Sequence, residues 1–242
     1  MTKVSNQDKL LSEWKLDKYA VFGHPIEQSK SPTIHKQFAA QTGQQLEYFA
    51  IEPELNSFKA DVKAFIEQGG KGCNVTMPFK EQAYQIADDV SERAQLAGAV
   101  NTLTFNNDGS VSADNTDGAG LVADLKNNGA NLSKRILLIG AGGAARGVIK
   151  PLLDCKPEQL VVVNRTFEKA QLLVEKFERF GSIESSSCDE LNNYSSFDVI
   201  INSTSTSLSG QLPPVPATIF SKESLVYDMV YAAEPTAFLV WA

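Results

Sequence analysis

Only two histidines and three cysteines occur in the 242 residues, and no apolar run approaches the roughly 20 residues that cross a bilayer. His24 and His35 are too few for a histidine-based metal site, and each reads as a loop or helix-surface residue. Cys73, Cys155 and Cys188 have neither metal-ligand nor C-x-x-C spacing, and their odd number reads as reduced thiols in a cytoplasmic protein. A basic excess is also missing. Against 22 Lys and Arg stand 29 Asp and Glu, a net charge of −7, which argues against nucleic acid or an anionic membrane as the main partner. An anionic ligand therefore needs a local cluster of positive charge. There is no internal repeat, and Met1 to Lys18 reads as a short amphipathic helix without an apolar signal core or an assigned function. What remains is an ordinary globular composition, 43% hydrophobic and 21% charged, long enough for one large or two modest domains.

The most informative stretch runs from Arg135 to Gly147. Its apolar, β-branched opening to Ile139 reads as a buried parallel strand. It breaks into Gly140-Ala141-Gly142-Gly143-Ala144-Ala145 and resumes with helical spacing at Val148, Ile149, Leu152 and Leu153. Strand, glycine turn and helix in that order make a G-x-G-x-x-A dinucleotide-binding fingerprint. Gly140 permits the tight turn, Gly142 lets backbone N–H groups approach a pyrophosphate, and Ala145 allows close helix–strand packing. The positive end of the helix dipole then faces the phosphates. Pro151 predicts a kink in that helix.

Around this stretch the chain alternates strands and helices. Strands are expected at Tyr19–Phe22, Leu46–Ile51 and Gly72–Thr76, with helices from Ser31 to about Gln41, through Phe58, Val62, Phe65 and Ile66, and from Met77-Pro78-Phe79-Lys80 onward. Ser31 reads as a helix N-cap with Pro32 at the first helical position. Ala99–Phe105 and Val111–Asn115 flank an Asp108-Gly109 turn signal and predict a hairpin. A helix begins at Asp117-Gly118. A second series follows with strands near Ile136–Ile139, Leu160–Val163, Ile183–Ser185, Val199–Asn202 and Leu225–Asp228. The order predicts an α/β protein: a mainly parallel α/β domain over residues 1–116, then a Rossmann-type domain over 117–242, with the cleft between them as the default ligand site.

The second strand of the later series ends in Asn164-Arg165-Thr166, 24 residues after Gly140, where NAD-binding relatives of this fold carry an acid. Arg165 can pair with a 2′-phosphate, and Lys169 one turn later adds a second charge, so NADP is favoured over NAD; a solvated arginine at a strand end is the alternative. Reduction of a carbonyl needs a proton donor near the developing alkoxide and groups that orient the substrate. Asn74, Thr76 and Lys80 cluster at a strand end, and a lysine at a helix start opposes the helix dipole, which points to function although such lysines are common on surfaces. Asp117 fits a helix N-cap, a role compatible with catalysis. Ser29 and Ser31 read either as turn and cap residues or as hydroxyl donors to a carboxylate.

Seven ordered segments then resemble the shikimate dehydrogenase family along essentially the whole chain. They are Gly23-His-Pro-Ile-Glu-Gln-Ser-Lys-Ser-Pro32, Asn74-Val-Thr-Met-Pro-Phe-Lys80, Gly98-Ala-Val-Asn-Thr102, Asn115-Thr-Asp-Gly118, Gly140-Ala-Gly-Gly-Ala144, Asn164-Arg-Thr166 and Tyr227-Asp-Met-Val-Tyr231. The resemblance implies reduction of 3-dehydroshikimate to shikimate with NADPH, in chorismate and aromatic amino-acid biosynthesis. It implies that Ser29 and Ser31 hold the substrate carboxylate with Tyr231 assisting, and that Asn74, Thr76, Asn101 and Asp117 bind ring hydroxyls. Lys80 and Asp117 match the catalytic pair. A lysine is protonated at neutral pH, so it suits stabilising an oxyanion better than acting as a base. Arg165, Thr166 and Lys169 match the 2′-phosphate clamp, while the Asn202-Ser203-Thr204-Ser205 stretch and Met229 match the nicotinamide end. The protein is expected as a monomer or homodimer.

Family members normally continue past Thr236–Trp241 with a glycine-rich turn and a returning helix that carries a substrate-binding Gln. Because the sequence ends at Ala242, an intact dinucleotide fold with an incomplete active site and an uncovered apolar strip is expected. Three other readings fit the sequence less well. A quinate/shikimate paralogue tends to carry an acid at Asn164-Arg165. A non-catalytic NADP-binding module does not need Lys80 and Asp117. A methylenetetrahydrofolate dehydrogenase leaves Ser29 and Ser31 unexplained.

Overall fold

Alternation along the first strands decides how the N-terminal part is built. In β1 (Asp17–Phe22), Ala20 and Phe22 share one face with Cys73 and Val75 of β3 (Gly70–Val75) and with Leu103 of β5 (Thr102–Phe105). Tyr19, Val21, Asn74 and Thr102 lie on the other face. The apolar face is covered by α2 (Phe58–Glu67) and by Phe79. Phe22 meets Phe58 edge-on at 6.0 Å, and Phe58 stacks on Phe79 at 4.9 Å. Aromatic pairs of this kind add about 0.5–1.5 kcal/mol each beyond their buried area. Phe79 immediately precedes Lys80, the first residue of α3 (Lys80–Gln85), so this packing fixes where the lysine leaves the sheet. On the opposite face α1 (Ser31–Thr42) packs against β2 (Leu46–Ile51) and β1.

The computed structural model describes residues 16–230 and 234–242, and the chain divides into two units. One comprises Ala99–Asn115 and the described part of Met1–Gln95; the other comprises Leu96–Gly98 and Thr116–Ala242. The first unit holds a six-stranded sheet in the order β2-β1-β3-β5-β6-β4, where β6 is Val111–Asp114 and β4 is Asp89–Val90. β2, β1 and β3 run parallel, β5 and β6 form the expected antiparallel hairpin, and β4 lies parallel to β6. Gly109 closes that hairpin at φ +88°, with Asp108 accepting the Ser110 N–H.

The second unit has β7 (Arg135–Ile139), β8 (Gln159–Val163), β9 (Ile183–Ser186), β10 (Val199–Asn202) and β11 (Leu225–Asp228) in the order β11-β10-β7-β8-β9, all parallel. Ile136 and Leu138 enter one apolar core and Leu137 and Ile139 another, as expected for a sheet covered on both faces. Its helices are α5 (Asp117–Asn127), α6 (Gly143–Asp154), α7 (Phe167–Phe177) and α8 (Ala237–Trp241). A Cβ on Gly118 would meet Gly147 O at 2.3 Å and Pro151 Cγ at 2.6 Å, so a bare backbone there lets α5 sit against α6. α6 runs on through Pro151 to Asp154.

Several local expectations need correction. Ser31 is the first residue of α1 and Lys30 its cap; the Ser31 N–H instead bonds to Ser29 Oγ at 3.3 Å. Asp117 is likewise the first residue of α5, with Thr116 as cap, and from there its carboxylate still faces the positive end of the helix dipole. Asp17 and Lys18 belong to β1, not to an amphipathic helix, and the rest of that expected helix lies outside the described residues. Among the elements not anticipated are the two-residue β4, α4 (Glu92–Ala97) after it, and α8.

Candidate active site

In the first unit the polar groups gather at the C-terminal ends of β1, β2 and β3. Gly23 leaves β1 so close to the next strand that a Cβ there would lie 2.4 Å from Thr76 Cγ2. The following loop is held by Glu52, at the end of β2, which accepts the Ile26 N–H at 3.2 Å and lies 3.1 Å from His24 Nδ1. That loop delivers Ser29 and Ser31. Thr76 is tied to β1 by its N–H on Phe22 O at 2.8 Å, and Lys80 through its carbonyl, which accepts from Val100 N–H at 2.9 Å. Ser29, Ser31, Asn74, Thr76, Lys80 and Asn101 are all half-buried, the state of side chains that line a ligand site rather than fill a core.

Three of these residues meet through partners that the sequence reading missed. Tyr48 Oη donates to Asn74 Oδ1 at 2.6 Å, and Asn74 Nδ2 donates to Asn101 O and Thr102 Oγ1, each at 3.3 Å. Thr102 Oγ1 in turn donates to Asn101 Oδ1 at 2.9 Å. Ser31 also hydrogen-bonds the Tyr48 hydroxyl. The His35 ring stacks on Tyr48, centroids 4.2 Å apart and planes 7° from parallel. Burial pushes the Tyr48 phenol up and holds the His35 imidazole below its ordinary value, opposed at His35 by a hydrogen bond with Asn74. Period-two alternation was the available signal, since Tyr48 falls on the same face of the sheet as Asn74.

The stretch before Asp117 is locked by a second unanticipated group. Asp114 accepts from both Nε and Nη2 of Arg93, from Ser91 Oγ at 2.6 Å and from the Asn115 N–H at 2.8 Å. The Arg93 guanidinium, helped by Ser91 and the Asn115 amide, lowers the Asp114 carboxyl to about 2 against the opposing effect of burial. Asn115, buried, donates to Ala99 O at 3.0 Å.

In the second unit Gly140 leaves β7 at φ +113°, and a Cβ there would lie 2.5 Å from Ser203 Oγ. Only glycine suits that turn. A Cβ on Gly142 would meet nothing within 4 Å, and Gly142, Gly143 and Ala144 are exposed at the start of α6, where no side chain caps the helix and no acid stands in the first turn. Such a terminus receives a phosphate through its N–H groups and dipole. Ala145 is fully buried against the strand. β8 ends in Asn164, whose Nδ2 donates to Thr166 O at 2.9 Å, and Arg165, Thr166 and Lys169 are exposed beyond it. These residues fit a pyrophosphate and a further phosphate on an adenosine ribose.

The Ser203 hydroxyl donates to Ile139 O at 2.7 Å beside Gly140, and the Met229 N–H bonds Asn202 O at 2.9 Å. Their neighbours Asn202 and Val230 are tied to a buried carboxylate whose role the sequence reading missed. Asp228 accepts from Asn202 Nδ2 at 3.2 Å, Ser207 Oγ at 2.5 Å, Thr236 Oγ1 at 2.6 Å and the Val230 N–H at 3.1 Å. A buried carboxylate with four donors is satisfied and rigid. Tyr231 lies outside the described residues. Among the described residues no group of His, Cys, Asp or Glu is arranged to hold a metal ion, and no helix is long and apolar enough to cross a membrane.

A phosphate-receiving βα turn in one unit, and a polar, lysine-bearing strand end in the other, divide the work as two-unit nicotinamide-dependent oxidoreductases do. The family model described as shikimate dehydrogenase substrate binding domain matches residues 21–103, and that of shikimate / quinate 5-dehydrogenase matches residues 123–209. Shikimate dehydrogenase (NADP(+)) of Vibrio atlanticus is 58% identical over 229 residues, covering 94% of this chain and 82% of the relative. Among solved structures, an Ael1 enzyme from Pseudomonas putida is 45% identical with a TM-score of 0.88, over 93% of this chain and 82% of that one. Shikimate 5-dehydrogenase from Thermus thermophilus, in complex with NADP(H) and shikimate, is 31% identical with a TM-score of 0.82, over 93% and 83% of the two chains. The chain belongs to the shikimate dehydrogenase family.

Proposed function

We propose that this protein reduces 3-dehydroshikimate to shikimate with NADPH, reversibly, as a cytoplasmic enzyme of aromatic amino-acid biosynthesis. Residues 1–116 serve as the substrate-binding unit and 117–242 as the NADP-binding unit. The observation that carries the reading is the set of half-buried hydroxyls and amides gathered with Lys80 at one end of the first sheet. A small polyhydroxylated acid offers the complementary groups.

NADPH, when bound, supplies the hydride. The backbone from Gly140 to Ala144 would hold its pyrophosphate, Asn164, Arg165, Thr166 and Lys169 would hold its 2′-phosphate, and Ser203 and Met229 would border its nicotinamide end. Ser29 and Ser31 of the first unit bind the substrate carboxylate, assisted by Tyr231, while Asn74, Thr76 and Asn101 of the first unit and Asp117 of the second bind ring hydroxyls. As the ring carbonyl carbon is reduced, its oxygen gains the π electron pair, and the Lys80 ammonium stabilises that charge and passes it a proton. Asp117 acts with Lys80 as the catalytic pair; in the reverse direction Lys80 receives the proton from the alcohol. Fixing both reactants on folded scaffolds removes much of the entropy cost of bringing them together.

Lys80→Ala tests these roles. Turnover should fall by at least about a hundredfold, the scale of one general acid, while NADP affinity by calorimetry stays within about twofold. A large loss of cofactor affinity, or retained turnover, contradicts the assignment.

A further inference from the structure

The hydrogen bonds on the polar face of the first sheet converge on a residue that has no assigned role. Tyr48 stands on β2, one strand beyond β1 from Asn74, and its hydroxyl touches both Ser31 and Asn74. These are two of the residues proposed above to hold the substrate, one at the carboxylate and one at a ring hydroxyl, and the inference rests on that reading. We propose that Tyr48 is a positioning residue for shikimate, setting which group Asn74 presents to the ligand.

The argument follows from donor and acceptor counting. Asn74 spends both Nδ2 hydrogens, on Asn101 O and Thr102 Oγ1, and accepts from Tyr48 with one lone pair of Oδ1. What the amide can still offer is the second lone pair of Oδ1, which it shares with the His35 imidazole and which a substrate hydroxyl would take over from that ring. A flipped amide would set Oδ1 against the Asn101 carbonyl, acceptor against acceptor. The two Nδ2 bonds are long at 3.3 Å, whereas the Tyr48 bond is short at 2.6 Å, so the phenol contributes most of the constraint. The phenol is itself held by the His35 ring stacked on it. Ser31 hydrogen-bonds the same hydroxyl, which places it beside the residue that orients Asn74, and it turns its hydrogen to a carboxylate when one is bound.

Tyr48→Phe removes only the hydroxyl and keeps the ring against His35. The expected result is a KM for shikimate raised about tenfold, with kcat within about threefold and the KM for NADP unchanged, as the loss of one orienting hydrogen bond requires. Thr102→Val withdraws an acceptor from the other side of the amide and should raise the same KM by a smaller factor, about threefold. In the Asn74→Ala background Tyr48→Phe should have little further effect, because it acts through that amide. A destabilised fold would instead move both KM values and NADP affinity. The inference is overturned if the shikimate KM is unchanged in both single variants, or if Tyr48→Phe costs as much without the Asn74 amide as with it. Failure of the unaltered protein to bind shikimate, by calorimetry with NADP present, overturns the substrate assignment and this inference together; shikimate binding with an unchanged KM in the variants overturns this inference alone.

Discussion

Replacing Gly140 by alanine perturbs the turn on which cofactor binding depends, and the structure sets the size of the effect. At φ +113° an L residue is strained by roughly 1–3 kcal/mol. The new Cβ would also lie 2.5 Å from Ser203 Oγ and 3.1 Å from Thr204 Cγ2. Ser203 Oγ must then leave its 2.7 Å bond to Ile139 O, at a further cost of about 1 kcal/mol. The sum, roughly 2–4 kcal/mol, is a large part of the ~5–15 kcal/mol by which a domain is stable. Urea unfolding should therefore show a lowered midpoint with an unchanged slope. Calorimetric titration should show NADP binding weakened at least about tenfold, since the turn that presents the Gly142–Ala144 backbone is displaced. In a Ser203→Ala background, where the hydrogen bond to Ile139 O is already absent, Gly140→Ala should cost about 1 kcal/mol less, with the φ strain remaining. A Gly140→Ala protein within about 0.5 kcal/mol of the parent, with NADP affinity intact, refutes this account of the turn.

Arg165→Ala should raise the KM for NADP by about tenfold, the lower end for a charge-assisted phosphate contact because the side chain is exposed, and leave the KM for NAD nearly unchanged; equal losses with both cofactors would remove Arg165 from the 2′-phosphate. Asp114 is held at about 2 by Arg93. Its folded-state pKa lies below the value of about 3.9 expected in the unfolded chain, so its contribution is complete above that value and disappears as pH falls through about 2. Asp114→Asn should accordingly lower the urea midpoint at pH 7, with the gap to the parent closing at the acid end of this window; a gap independent of pH contradicts the pairing.

The second sheet was readable because its strands are buried on both faces. Leu137-Leu138-Ile139 and Val161-Val162-Val163 form runs that only a covered parallel sheet explains. The glycine turn was readable for a different reason: a backbone conformation closed to other residues leaves its mark as Gly140. The N-cap roles read for Ser31 and Asp117 each belong to the preceding residue, since a hydroxyl or carboxylate near a helix start suits the cap and the first turn alike. β4 and α4 left no periodic signal, being two and six residues long. The site was half legible. Residues in dense local motifs, such as Asn74, Thr76 and Lys80, stand out, whereas Tyr48, Thr102, Arg93 and Asp228 act through partners distant in sequence. Tyr48 and Asn74 are 26 residues apart, and Asn202 and Asp228 likewise 26. Strand register brings such pairs together, and register is a property of the assembled sheet.

The central claim is tested most directly by following the absorbance of reduced nicotinamide after mixing the protein with shikimate and either NADP or NAD. The account predicts steady, shikimate-dependent formation of NADPH and a much slower reaction with NAD. Measurable NADP binding without reduction of either cofactor in the presence of shikimate would contradict it.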